Sequence, residues 1–256
     1  MKRISRRFFA FAAIATLALG LAAPVSAQGL LGSLFAAPPV VDSFSSGGCD
    51  VTVEQFWPKG CGPFPAVVVL HGSDGLCENG AAYRAVCRQI TAEGAVALLV
   101  HYWDRGGEPT DPDHPGDNHK QFRVWVKVAQ DAARYAKSLP NVCKDRIGQV
   151  GFSLGAFVGL SAAANNHLYR AVIEVSGGLP EEYAKDLTYM PPTLILHGAQ
   201  DEEVSVKEAT SLVSRMKAHG HTYRWKIYDC EGHKLSDAAQ KDAAERGECF
   251  FNDFLM

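Results

Sequence analysis

The chain has 256 residues, of which 47% are hydrophobic and 21% are charged, and its 28 acidic residues slightly outnumber 25 basic ones. This is the composition of a globular protein long enough to bury one sizeable core, and it excludes disordered and low-complexity proteins. The mild acidity, with no basic stripe, argues against nucleic acid as a partner.

The first 27 residues have the pattern of a signal peptide. Residues 1–7 are basic, residues 8–23 are apolar and uncharged, and Val25-Ser26-Ala27 places small residues where signal peptidases cleave. A retained membrane anchor is the alternative interpretation, but the apolar stretch is short for a membrane span. We therefore expect cleavage before Gln28 and an exported protein, periplasmic or secreted, that does not contact the membrane afterwards.

The route of export stays open at this stage. The stretch Ser5-Arg6-Arg7-Phe8-Phe9 resembles a twin-arginine signal, and it is equally compatible with the general secretory route. Cleavage would remove four basic residues and no acidic ones, which leaves 21 basic against 28 acidic residues and a net charge of −7. That balance is ordinary for an enzyme surface.

The rest of the chain reads as a flexible arm followed by one domain. Residues 28–48 are rich in Gly, Ala, Pro and Ser and are expected to form a mobile arm, with the domain at 49–256. Predicted strands lie at 50–57, 65–70, 95–102, 147–150, 170–175, 192–196 and 223–228, and predicted helices at 81–92, 121–139, 154–164, 206–218 and 236–254. This alternation predicts an α/β fold with a mostly parallel sheet, helices on both faces and no sizeable lid.

The stretch Gly151-Phe152-Ser153-Leu154-Gly155 is the centre of the functional interpretation. A short apolar strand precedes this G-x-S-x-G pattern and a run of small, helix-compatible residues follows it. In that context the pattern is typical of a nucleophile elbow, a turn so tight that its flanking positions need glycine. We predict that Ser153 is a catalytic nucleophile; the alternative is a structural turn.

A serine nucleophile needs a base to take its proton and an acid to orient that base. In α/β-hydrolases the acid and then the histidine follow the serine along the chain. Asp201 is the first carboxylate after the strand at 192–196 and is the expected acid. The alternatives are that Glu202 takes this role, or that Asp201, Glu202 and Glu203 only form a solvated acidic turn. Among nine histidines, His233 is the one that follows the last strand at the active edge of the sheet.

Two backbone N–H groups are expected to stabilise the oxyanion that forms during acyl transfer. One is the amide of Leu154, directly after the nucleophile, and the other is the amide of Ser73, in the loop after the strand at 65–70. The alternative is that the Ser73 loop is merely a turn.

Seven cysteines lie after the signal, a number that predicts disulfides in an exported protein and leaves at least one free thiol. The pairs expected are Cys49–Cys61, Cys77–Cys87 and Cys230–Cys249. No C-x-x-C pair occurs, so a zinc site is not expected, and the chemistry calls for no metal and no cofactor.

Four motifs together resemble the dienelactone hydrolase family of α/β-hydrolases, over roughly residues 49–254. They are Val69-Leu70-His71-Gly72, Gly151-Phe152-Ser153-Leu154-Gly155, Leu196-His197-Gly198-Ala199-Gln200-Asp201 and Tyr228-Asp229-Cys230-Glu231-Gly232-His233. The resemblance implies an α/β-hydrolase fold and a compact, lidless hydrolase of small esters, lactones or related acyl compounds. The chain departs from the family's namesakes, which use a cysteine nucleophile, and this favours a serine esterase branch.

The resemblance also implies where substrate binds. Similar sequences shape the acyl pocket with the residues at which the strand at 95–102 ends and the next loop begins, which here are Tyr102, Trp103 and Arg105. Arg105 could bind a substrate carboxylate, or it could form a structural ion pair with Asp104 or Glu108. Trp103 could equally belong to the core.

Taken together, the sequence predicts an exported serine hydrolase that cleaves small acyl substrates through an acyl-enzyme intermediate and a Ser153–Asp201–His233 triad. Two alternatives stay open. The same triad could act on polyester or acyl-peptide substrates, or the chain could be a non-catalytic binding protein on the hydrolase fold. The oligomeric state is not predicted.

Overall fold

The computed structural model describes residues 38–111 and 118–256. In this part of the chain the strands are β1 Val40–Ser46, β2 Cys49–Phe56, β3 Phe64–Leu70, β4 Val96–Val100, β5 Val142–Phe152, β6 Ala171–Val175, β7 Thr193–Gly198 and β8 Tyr223–Tyr228. The helices are α1 Gly75–Ala92, α2 His119–Ser138, α3 Leu154–Ala163, α4 Glu181–Ala184, α5 Lys207–Ala218 and α6 Asp237–Phe254, and a short 3₁₀ turn covers Tyr102–Asp104.

All eight strands form one sheet in the order β1-β2-β4-β3-β5-β6-β7-β8. The pairings from β4 through β3 and β5 to β8 are parallel, while β1 pairs antiparallel with β2 and β2 pairs antiparallel with β4. The predicted α/β class and mostly parallel sheet are therefore confirmed. Because parallel strands end at one edge, the loops after β3, β4, β5, β7 and β8 gather on the same side of the molecule.

The apolar runs of the central strands explain why helices cover both faces. In β3, Val68 and Leu70 point into a core formed with α2 and α3, while Val67 and Val69 point into a second core formed with α1 and α6. Side chains alternate between the two faces of a strand, so a strand buried on both sides must be apolar throughout. Val67 and Val69 are accordingly as completely buried as their neighbours.

The predicted arm at 28–48 is partly wrong, because its residues 40–46 form β1 at the edge of the sheet. Phe44 is buried there and stacks on Tyr135 of α2 with ring centroids 5.2 Å apart. Tyr135 also donates a hydrogen bond to the Asp42 carboxylate. The proline and serine content of this segment indicated an arm. It did not show that Phe44 packs on Tyr135 and so anchors an edge strand. The predicted signal at 1–27 and the remainder of the arm at 28–37 lie outside the described residues.

The three predicted disulfides are wrong: all seven cysteines, which fall within the described ranges, are free. Cys77 and Cys87 lie on the same helix, ten residues or about 15 Å apart, whereas a disulfide needs Cα atoms within about 7 Å. In the other two pairs, Cys49 begins β2 while Cys61 follows its far end, and Cys230 precedes α6 while Cys249 lies about 18 Å along it. Spacing along the chain did not reveal these separations.

Within residues 38–111 and 118–256, no helix has both the length and the apolar content needed to cross a membrane.

Candidate active site

Ser153 lies at the sharp turn between β5 and α3, at the carboxyl edge of the sheet. Its backbone has φ 50° and ψ −119°, a conformation that few residues other than glycine adopt. A Cβ atom on Gly151 would lie 2.3 Å from the carbonyl oxygen of Gly155, and one on Gly155 would lie 2.4 Å from that of His71. The two glycines are therefore required sterically, and the turn holds the Ser153 side chain above the strand end at the start of α3.

The structure brings the three predicted triad residues together in a continuous chain of hydrogen-bond contacts. His233 Nε2 lies 2.9 Å from Ser153 Oγ, and His233 Nδ1 lies 2.8 Å from Asp201 Oδ2. Because a carboxylate can only accept, Nδ1 carries the proton and Nε2 is left free to accept from the Ser153 hydroxyl. This tautomer is the one that a serine nucleophile requires of its base.

The backbone around Asp201 fixes its carboxylate in the loop after β7. The Asp201 side chain is fully buried, and its Oδ1 accepts hydrogen bonds from the amides of Glu203 and Val204 at 3.0 and 2.8 Å. The two carboxylates considered as alternatives are placed differently. Glu202 is exposed, and Glu203 is mostly exposed with Oε2 3.7 Å from His233 Nε2, on the serine side of the ring.

The loop that carries Ser73 lies directly against the serine. A Cβ atom on Gly72 would lie 3.4 Å from Ser153 Cβ, so the following peptide, with the Ser73 amide, runs beside the nucleophile. The amide of Leu154 is fixed by its position at the first residue of α3. The two predicted oxyanion donors thus belong to two different segments next to Ser153, the loop after β3 and the first residue of α3.

Tyr83 of α1 supports the Ser73 loop, and no sequence pattern indicated this role. Its hydroxyl accepts a hydrogen bond from the Gly72 amide at 2.9 Å and donates one to Asp74 Oδ1 at 2.7 Å. Burial and the neighbouring Asp74 carboxylate raise the pKa of Tyr83 above its ordinary value, so the hydroxyl keeps its proton. It can therefore serve as acceptor and donor at once.

His71 is the second residue of this support that we did not predict. Its Nδ1 lies 2.8 Å from the Gly72 carbonyl oxygen, and its ring stacks on Tyr102 with centroids 4.3 Å apart. Burial lowers the pKa of His71 to about 4, which keeps the ring neutral at physiological pH. The sequence could have suggested this role, since His71 directly precedes the Gly72 of the loop.

A cleft of about 390 Å³ opens beside the Ser73 loop. Its floor includes His71 and Trp103, and the first turn of α1 with the loop after β4 forms its walls. The acidic residues among those that line it are Asp74, Glu78, Asp104 and Glu108. Because His71 is neutral, the side chains that can carry charge in this lining are these four acids and His101, which contacts Glu54 at 3.0 Å.

The three residues expected to bind substrate have different surroundings. Trp103 lines the cleft, with its ring edge-on to His71 at 4.7 Å. Tyr102 is completely buried and donates a hydrogen bond to the His71 carbonyl oxygen, so it supports the loop and does not reach the cleft. Arg105 lies over the β1–β2 turn and donates to Ser46 Oγ at 2.9 Å. The two interpretations of Tyr102 and Arg105 as substrate contacts therefore need correction.

Glu174 of β6 is a buried carboxyl group close to the elbow strand, paired in register with Gly151. Its Oε2 accepts a hydrogen bond from the Gly177 amide, and its Oε1 has no partner. Burial raises the pKa of Glu174 to about 8, so the group is mostly protonated at neutral pH. It packs beneath α3 and does not contact the serine side chain.

A second, larger cavity of about 440 Å³ lies between α1 and α6, over β5, β6 and β7. Its lining is almost entirely apolar, and neither Ser153 nor His233 is among the residues that form it. Ser153 and His233 do not line the cleft beside Ser73 either, but Ser73 itself lies in that cleft. We therefore place the candidate site at the contacts between Ser153, His233 and Asp201, with this cleft next to them. Among the described residues, no group of three or more His, Cys, Asp or Glu side chains could hold a metal ion.

The chain is similar in sequence to two proteins of different kinds. It is 25% identical over 231 residues to a Salmonella typhimurium protein assigned as a carboxymethylenebutenolidase, covering 80% of this chain and 84% of that one. It is 27% identical over 123 residues to the mouse bile acid-CoA:amino acid N-acyltransferase, covering 48% of this chain. The chain spans only about a quarter of the length of that mouse relative, 26%.

Among solved structures, a dienelactone hydrolase-like promiscuous phosphotriesterase from metagenomic libraries superposes with a TM-score of 0.71 at 18% identity. The match covers 86% of this chain and 100% of that one, which shows that the two share a fold. The model of the dienelactone hydrolase family matches residues 52–254, most of the chain. This protein therefore belongs to the dienelactone hydrolase family and has the α/β-hydrolase fold.

Proposed function

We propose that this protein is a serine hydrolase that cleaves small carboxylic esters or related acyl compounds through an acyl-enzyme intermediate. The observation that carries the proposal is the chain of contacts from Ser153 Oγ through His233 to Asp201 Oδ2, at 2.9 and 2.8 Å. Each of the three residues has the neighbours that its role needs. A binding protein that had lost catalysis would not be expected to keep all three residues in this arrangement.

In the first half of the reaction, His233 Nε2 takes the Ser153 proton as Oγ attacks the carbonyl carbon of the substrate. The amides of Ser73 and Leu154 stabilise the resulting oxyanion. Asp201 holds the His233 ring in place and stabilises its positive charge. When the tetrahedral intermediate collapses, the bond to the alcohol breaks, and the leaving oxygen takes the proton from His233 Nε2.

The second half reverses these roles. A water molecule gives a proton to His233 Nε2 as its oxygen attacks the acyl carbon, and a second oxyanion forms in the same position. Collapse breaks the bond to Ser153 Oγ, which recovers its proton from His233, and the carboxylic acid leaves. The chemistry is complete with these side chains and water.

The cleft supports a substrate that is small and not anionic. Its volume of about 390 Å³ suits a compact acyl or alcohol group. Acidic side chains line the cleft, while the Arg105 guanidinium, which could have bound a carboxylate, lies against Ser46. We therefore propose neutral esters as the preferred class.

We also propose that the protein is exported and loses residues 1–27, on the basis of its basic and apolar N-terminal pattern. N-terminal sequencing of protein recovered outside the cytoplasm tests this, with Gln28 as the expected first residue. Recovery only from the cytoplasm with Met1 intact would contradict it.

The test of the hydrolase proposal is the Ser153→Ala variant, assayed on a neutral aryl ester. We expect turnover to fall by several orders of magnitude while the fold is retained, because the nucleophile is lost. Ser161→Ala, on the same helix, is a matched control that should leave turnover unchanged. Wild-type turnover by Ser153→Ala would overturn the proposal.

A further inference from the structure

A second histidine, His197, touches the same carboxylate oxygen as His233. His197 is the fifth residue of β7 and is completely buried. Its Nε2 lies 3.1 Å from Asp201 Oδ2 and 2.9 Å from the carbonyl oxygen of Val204. Two acceptors thus face one nitrogen of the ring.

These contacts fix the protonation of His197. The Val204 carbonyl oxygen cannot donate a hydrogen bond, so Nε2 carries the proton that this oxygen accepts. The other nitrogen, Nδ1, is buried without a hydrogen-bond partner. A proton on Nδ1 would leave an unpaired buried N–H on a charged ring, which is costly, so His197 is neutral.

His197 places a polarised N–H beside the Asp201 carboxylate. Oδ1 accepts hydrogen bonds from the amides of Glu203 and Val204, and Oδ2 accepts one from His233. His197 Nε2 donates to the Val204 carbonyl oxygen and lies 3.1 Å from Oδ2, so the positive end of its N–H dipole faces the buried carboxylate.

We infer that His197 is a positioning residue, whose neutral Nε2–H ties the loop 201–204 to β7 through Val204 and stabilises the Asp201 carboxylate at 3.1 Å from Oδ2, in place to orient His233. The inference rests on the proposed function, since it assigns a task to a neighbour of the proposed triad. His197 does not reach the substrate, because Asp201 and the loop separate it from the cleft.

Two variants distinguish the effect of the His197 Nε2–H donor from the effect of the packing of this side chain. His197→Leu removes the N–H, while His197→Gln places an amide Nε2 the same number of bonds from Cβ, where it can still donate to Val204 and face Asp201. We expect His197→Leu to lower kcat by about 10- to 100-fold with little change in KM, as a lost charge-assisted hydrogen bond would. His197→Gln should recover most of that loss.

The pH dependence of kcat/KM distinguishes the loss of the His197 donor from the loss of its packing, because a loss of packing alone would not shift it. Without the His197 donor, the Asp201 carboxylate attracts a proton on His233 more strongly. The acid limb of kcat/KM against pH should therefore move up by about one pH unit in His197→Leu, and it should stay in place in His197→Gln. Besides His197, the groups near this carboxylate are His233 and the mostly exposed Glu203, and both are unchanged in the two variants.

The experiment measures both variants beside Ser153→Ala, with the melting temperature of each, and adds histidine ¹⁵N NMR of the wild-type enzyme between pH 5 and 9. A neutral Nε2–H signal for His197 that does not titrate supports the inference even where His197→Leu fails to fold. A charged or Nδ1–H His197 would overturn it, as would a folded His197→Leu with wild-type kcat and pH profile. If Ser153→Ala kept full activity, the proposed function itself would fail, a result distinct from these.

Discussion

Tyr83 Oη lies 2.9 Å from the backbone nitrogen of Gly72, although the two residues belong to a helix and to the loop that precedes it. The bond holds the peptide that leads into Ser73, and the same hydroxyl donates to Asp74 at 2.7 Å. An oxyanion donor is effective only when it is held in position before the charge develops. The loop beside the serine is thus positioned by α1 as well as by β3.

The Tyr83→Phe variant should lower kcat on a neutral ester by about tenfold, because the Ser73 amide loses its support while the serine, histidine and aspartate stay in place. KM should change little. Steady-state kinetics measure this. Tyr135→Phe is the control, since it removes hydrogen bonds to Asp42 and Gln55 at the far edge of the sheet. Equal losses of kcat in both variants would contradict the role of Tyr83.

The Asp201→Asn variant should keep the fold and lose on the order of 10⁴ in kcat, because an amide can donate to His233 Nδ1 and favours the wrong tautomer of the ring. Glu203→Gln is the matched control and should cost less than about threefold, since its mostly exposed carboxylate is 3.7 Å from His233. Steady-state kinetics of the two variants decide between them. A loss below about tenfold for Asp201→Asn would remove it from the role of orienting acid.

The Arg105→Ala variant tests whether this guanidinium takes part in binding. Since Arg105 donates to Ser46 at 2.9 Å, we expect KM to stay within about twofold for a neutral ester and for a matched ester that bears a carboxylate. The melting temperature should fall slightly, as it should in Ser46→Ala. A tenfold rise in KM confined to the carboxylate ester would show that Arg105 swings into the cleft.

Glu174 predicts a pH dependence of stability. Its pKa is about 8 in the folded protein and near 4.5 in the unfolded chain, so the folded state holds a proton that the unfolded state has lost between these values. The free energy of unfolding should therefore fall as pH rises from about 4.5 to about 8 and level off above. An experiment that starts between these two pH values therefore measures only the stability lost between its starting pH and about pH 8.

Urea unfolding of the wild-type protein and of Glu174→Gln at pH 6 and pH 9 measures this effect. The variant should lose about 1–3 kcal/mol less than the wild type between the two pH values. Glu245→Gln, which changes an exposed carboxylate of α6, should behave as the wild type does. Identical pH dependence in the wild type and Glu174→Gln would show that Glu174 is ionised in the folded protein.

The elements that the sequence predicted well were those with a strong local pattern. The apolar run of β3, the alternation of strands and helices, and the G-x-S-x-G turn each depend on contacts between residues close in the chain. Motif order along the chain selected Asp201 and His233, which the structure brings within 2.8 Å of each other. Their predicted roles in catalysis await the variants described above.

The features that the sequence did not predict depend on contacts between distant segments. β1 is held by Phe44 on Tyr135, 91 positions along the chain, and no local pattern indicates that pair. Tyr83 and His197 act through hydrogen bonds to residues whose positions only the folded sheet defines. The predicted cysteine pairs failed for the same reason, because the number of residues between two cysteines does not show how far apart the fold places their Cα atoms.

The central claim, that Ser153 is the activated nucleophile, is tested most directly by labelling the folded protein with a fluorophosphonate and mapping the modified peptide. The probe reacts with serines that a histidine activates, and it forms a stable phosphonyl adduct. We predict one adduct per chain, on Ser153 and on no other serine, with labelling abolished in Ser153→Ala and strongly slowed in Asp201→Asn. A folded protein that takes no label, or that takes it on another serine, would contradict the account.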